Sequence, residues 1–173
     1  MLPSPLHPAV VHFPIVLVCL LPIVALGALW AIRRGSPALR AWAIPVALAA
    51  ALTASAWVAV ETGEGDEERA EDVVGEQVLG AHEAAAERFL WLSGAVLALT
   101  AAGLLRGGIG RTIRVAGTVA ALGLVVAGYQ VGHSGGRVVY GDGVNPGLSA
   151  IGAGQADGGE SGREGRPKFA DDD

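Results

Sequence analysis

The chain has little of what a soluble domain is built on. Charged residues fill 17% of its 173 positions, against about a quarter in ordinary soluble domains. Aromatic residues are at 5%. There is one cysteine, Cys19, so no disulfide and no CxxC pair can form, and Cys19 reads as a small packing residue. No GxSxG elbow and no glycine-rich phosphate loop followed by Lys is present, which removes the common hydrolase and nucleotide-binding readings. No HxxxH or HExxH spacing occurs either, so no strong metal motif exists. The net charge is −5, and the basic residues are not gathered into one large patch. That gives no support for nucleic acid as a partner. No catalytic residue is nominated, and the sequence points away from an enzyme.

What is present is apolar. Hydrophobic residues make up 51% of the chain, and there are 26 glycines. Four uncharged runs stand out: "FPIVLVCLLPIVALGALWAI" at 13–32, "AWAIPVALAAALTASAWVAV" at 41–60, "FLWLSGAVLALTAAGLL" at 89–105 and "VAGTVAALGLVVAGYQVG" at 115–132. Each is close to the roughly 17–25 residues that cross a bilayer as a helix. None carries the charged face that a helix on a water-soluble core would show. Basic residues follow the first run and none precedes it, the reverse of a cleavable signal, so it is expected to be retained. The fold class expected is all-α, an integral membrane four-helix bundle with up-down-up-down order, because the connections are short. The lipid bilayer is its first partner.

The charges set an orientation. Arg33, Arg34 and Arg40 lie between runs one and two, and Arg106, Arg111 and Arg114 lie between runs three and four, with no acid in either loop. Positive loops face the cytoplasm. Both termini are then expected outside, in the cytoplasmic (inner) membrane of a bacterium. All seventeen acidic residues fall on the outer side, ten from Glu61 to Glu87 and seven from Asp142 onward. Trp30 and Trp42 are expected in the inner aromatic belt, and Trp57, Trp91 and Tyr129 in the outer one.

A transmembrane domain is expected over 1–146 and a disordered Gly- and acid-rich tail over 147–173. Pro22 is expected to kink the first span, and Pro45 to sit in the first turn of the second, where Pro is tolerated. Val74, Val78, His82, Ala85 and Phe89 recur at helical spacing. The third helix is therefore expected to extend outward to about Asp72, with His82 on its inward face. "RGGIGRTIR" reads as an inner loop, and "HSGGRVVYGDGVNPG" from His133 as a turn-rich segment with a short extended hairpin.

All four histidines, His7, His12, His82 and His133, then lie on the outer side near one level. Neutral imidazole binds zinc, copper and haem iron, and facing helices of a bundle commonly build such sites. The four histidines are candidate ligands for one haem b or one transition-metal ion. Gly135 and Gly136 would let the chain approach such a group closely. The competing reading is that each histidine caps a helix or bonds a carbonyl, and that the two glycines form a turn.

"HPAVVHFPIVL" at 7–17, "AHEAAAERF" at 81–89 and "HSGGRVVYGDGV" at 133–144 together resemble a bacterial membrane-protein family catalogued as domain of unknown function 2231. The resemblance covers about residues 5 to 146. Val138 stands where that family's pattern has Leu. The resemblance implies a four-span membrane domain without an assigned activity. Relatives that sit beside cytochrome or iron–sulfur modules add a redox context, with a redox protein or membrane complex as partner. The alternative is a structural or accessory subunit that docks a partner without any cofactor, supported by small-residue faces such as Ala49, Ala50 and Ser55. A transporter is the weakest reading, because no charged residue lies within any run.

Overall fold

The computed structural model describes residues 10–64 and 76–140. His7, the segment 65–75 and the expected tail lie outside the described residues. Four helices are present: α1 (His12–Arg33), α2 (Ala38–Glu64), α3 (Glu76–Ala102) and α4 (Gly107–Tyr140). No strand occurs among the described residues. All four helices are long and apolar enough to cross a membrane. Each packs against its neighbours in the chain, and α1 closes the ring against α4. The fold is an all-α, up-down-up-down four-helix bundle.

Only 22–28% of each apolar window is buried inside the bundle. Phe13, Ile23, Ile44, Trp91, Ile109 and Val119 are among the large apolar side chains that point outward. Apolar exposure of this extent marks a surface that meets lipid rather than water. The interior mixes small residues with Val, Leu and one Phe. Val18, Leu21, Ala49, Leu52, Ala56, Phe89, Val96, Ala121 and Leu124 form one core. Small side chains let helix backbones approach, which is where packing energy comes from in a bilayer.

The α3–α4 pair shows how regular this packing is. The contacts run Gly103 to Arg114, Thr100 to Gly117, Phe89 to Gly128 and His82 to Gly135. The steps along the two helices match: three, eleven and seven residues on each. The facing positions on α3 are Leu79, His82, Ala86, Phe89, Ser93, Val96, Thr100 and Gly103, and from Leu79 to Gly103 each is buried or half-buried. Those on α4 are Arg114, Gly117, Ala121, Leu124, Gly128, Val131 and Gly135, likewise buried or half-buried. Alternating spacings of three and four residues make a heptad seam, the packing of left-handed antiparallel helix pairs.

The end that holds both short connections is tightly fastened. The α1 helix stops in a Schellman motif: Gly35 has φ 101°, its N–H donates to the Ile32 carbonyl, and Ser36 N–H donates to that of Ala31. Trp42 was expected in an interfacial belt, but it is fully buried. Its indole Nε1 donates to the Thr100 carbonyl at 2.8 Å. A Trp is favourably buried only when its N–H finds an acceptor, and the Thr100 carbonyl, which also accepts the Gly103 N–H at 3.0 Å, has a second lone pair for it. Arg114, counted by sequence among loop charges, is also buried. Its Nε donates to the Gly103 carbonyl at 2.7 Å and its Nη2 to that of Leu105 at 3.1 Å. It caps the C-terminus of α3 from the next helix.

Three local expectations are corrected. Pro45 lies inside α2, beyond its first turn, and is buried. The "GGIG" stretch opens α4 rather than forming a loop, and Gly107 supplies the positive φ of 78° that turns the chain. The expected turn after span four is instead helix as far as Tyr140. One of its glycines, Gly135, packs against His82 of α3.

Candidate functional site

The histidine end of the bundle is set by three helix positions. His82 stands on the α3 seam, one heptad beyond Phe89, about 10 Å further along the axis at 1.5 Å per residue. It is half-buried. Its Nδ1 lies 3.0 Å from Ser134 Oγ on α4. Ser134 Oγ in turn lies 2.9 Å from the Val131 carbonyl oxygen. A hydroxyl has one hydrogen, and a carbonyl can only accept. If the hydroxyl hydrogen points to Val131, the Ser134 oxygen accepts from Nδ1–H of His82; if it points to His82, Nδ1 is the acceptor. Fixing one ring nitrogen through a hydrogen bond is how proteins choose the tautomer of a histidine whose other nitrogen acts.

Gly135 completes this arrangement. A Cβ added there would stand 3.0 Å from His82 Cε1 and 3.5 Å from Nδ1. The imidazole therefore lies against bare α4 backbone. Gly136, one residue on, would place a Cβ in open space. The two glycines grouped together by sequence therefore differ: Gly135 touches His82 and Gly136 does not.

The other histidines stand near the same level but face elsewhere. Val18 of α1 meets Gly128 of α4, so His12, six residues toward the chain start, lies near the level of Ser134. His12 is exposed. His133 is exposed too, and stacks on Tyr129 with ring centroids 6.0 Å apart and an interplanar angle of 10°. Tyr129 is itself 72% exposed, so this pair lies on the outer flank of α4. His7 is outside the described residues. Among the described residues, no group of three or more His, Cys, Asp or Glu side chains comes together as a metal site. The described part of this end offers one half-buried, hydrogen-bonded imidazole and two exposed ones.

Ser134 was not singled out by sequence reasoning, although it directly precedes Gly135. The signal lay in the spacing: three residues after Val131, its hydroxyl reaches that carbonyl along the helix. Trp42, Thr100, Gly103 and Arg114 at the opposite end were likewise missed as a set. Their partners are distant in the chain, and no local pattern marks them.

No curated protein and no solved structure matches the chain. A family described as predicted membrane protein (DUF2231) matches residues 3–146. The chain belongs to that family.

Proposed function

From that membership we propose a multi-pass protein of the bacterial cytoplasmic membrane, with both termini outside, that binds one haem or one transition-metal ion at its histidine end. The observation that carries this reading is the His82–Ser134 hydrogen bond, which ties down one ring nitrogen, Nδ1, of a half-buried imidazole. Metal-bound histidines usually donate their other ring N–H to a partner. The His82 imidazole would be the residue that holds such a group. In this reading His7, His12 and His133 would be the candidates for further ligands, His12 and His133 only by turning from their exposed orientations, and Gly136, in open space, would give the bound group access to backbone that the His82 ring covers at Gly135. Such a group would supply electron transfer. The chain's part is to hold the imidazole oriented through the Ser134 contact.

The test is an absorption spectrum of detergent-purified protein, oxidised and dithionite-reduced, with metal analysis on the same sample. A Soret band, or stoichiometric Zn, Cu or Fe, that falls in His82→Ala supports the reading. A sample with neither sinks it.

A second reading is favoured by the exposed Tyr129–His133 stack, which turns away from the bundle. Here the protein is an accessory subunit, and its outer motifs dock a redox protein or membrane complex without any cofactor. Co-purification that survives His82→Ala, with the Tyr129–His133 stack left intact, distinguishes it from the first.

A further inference from the structure

The opposite end of the bundle carries five exposed arginines. Arg33 and Arg34 close α1, Arg40 opens α2, and Arg106 and Arg111 flank the start of α4. The two turns that bear them are brought together by packing. Ile32 and Leu104, one from each side, both pack on the cluster around Trp42. Every Asp and Glu among the described residues lies in the far halves of α2 and α3, so no described carboxylate shares this end. The sixth arginine, Arg114, differs: it is buried and donates to two backbone carbonyls.

Arg34 shows the depth of the cluster. Its guanidinium sits 4.9 Å from the centroid of the Trp30 ring, and that ring is 61% exposed on the lipid side of α1. An indole facing lipid marks the headgroup level, and a cation stacked on it stands where lipid phosphates are. Guanidinium groups pair with phosphate oxygens in a bidentate fork.

We propose that this end of the folded protein binds anionic phospholipid headgroups, with Arg33, Arg34, Arg40, Arg106 and Arg111 as the phosphate ligands. The inference is independent of the histidine-end reading. Its rival is that these charges act only during insertion, in which case the finished protein would not select its lipids.

The experiment is native mass spectrometry of the full chain in neutral detergent, titrated with phosphatidylglycerol or cardiolipin and, separately, with phosphatidylcholine. Anionic adducts should form at several-fold lower lipid concentration than zwitterionic ones. Each arginine replaced should weaken them by about fivefold, since a surface arginine contributes about 1 kcal/mol toward an anionic membrane. The pairs R33Q/R34Q and R106Q/R111Q are both expected to lose them, while Arg137→Gln at the opposite end should keep them. Circular dichroism of each variant confirms that the helices persist, and pairs replaced by Lys should bind in between. Equal binding of both lipid types would overturn the proposal, as would anionic adducts unchanged in both Gln pairs. Displacement of the lipid by millimolar inorganic phosphate would also overturn it, in favour of a small-anion site.

Discussion

Two adjacent glycines make the sharpest comparison at the scale of single residues. Gly135 lies against the His82 ring, and Gly136 faces open space. Gly136→Ala should be neutral or stabilising by up to about 1 kcal/mol, the usual gain of Ala over Gly inside a helix. Gly135→Ala should lose stability instead, because the new methyl pushes the ring off Ser134 and weakens a bond worth about 0.5–1.5 kcal/mol. Thermal unfolding in detergent, followed by Trp fluorescence, measures both. Equal effects at the two positions would mean that the His82 contact does not matter to the fold. The sequence alone made the two look alike, because both glycines read as turn formers in water. Which one faces α3 follows from helix rotation, and that became readable only once α4 was seen to continue to Tyr140.

At the scale of the helix, the end of α3 depends on a side chain from α4. Arg114→Met keeps much of the volume but leaves the Gly103 and Leu105 carbonyls without their guanidinium donors. The expected cost is about 1–3 kcal/mol, the penalty for stranding buried acceptors. Hydrogen exchange should report it as faster exchange confined to residues 101–106, with the His82 half of α3 unchanged. Exchange that rises evenly along the helix would count against a local cap. The four helices themselves were legible, because uninterrupted apolar runs of membrane-crossing length leave few alternatives. His82 was also correctly turned inward by its spacing to Ala85 and Phe89. The α3–α4 seam was not legible. In a soluble protein a heptad shows as apolar positions against polar ones, but here nearly every position is apolar. The seam is instead marked by Ser93, Thr100, Gly103, Gly117 and Gly128, chosen for size. Trp42 was misjudged for a related reason. Belt reasoning gives the depth of an aromatic residue in the membrane, not the direction in which it points.

For the whole molecule, the two short connections lie at one end and the described histidines at the other, so orientation is open to a direct test. In a Cys19→Ser background, single cysteines are placed by Ser36→Cys in the α1–α2 turn and by Arg137→Cys near the end of α4. Both positions are exposed. A membrane-impermeant maleimide applied to intact spheroplasts should label the second only, and the first after permeabilisation. The reverse pattern would invert the proposed orientation. Labelling of both from outside would remove the four-span arrangement. The ring order also bears on how the protein is made. The ribosome delivers α1 and α2 first, and with them the Trp42 indole, whose acceptor on Thr100 has not yet been synthesised. Until the second hairpin arrives, that N–H lacks its protein acceptor and must be met by water or headgroups at the interface. An unfinished chain is thereby chemically distinguishable from a finished one, and a membrane protease or chaperone that recognises stray polar groups would have one to find.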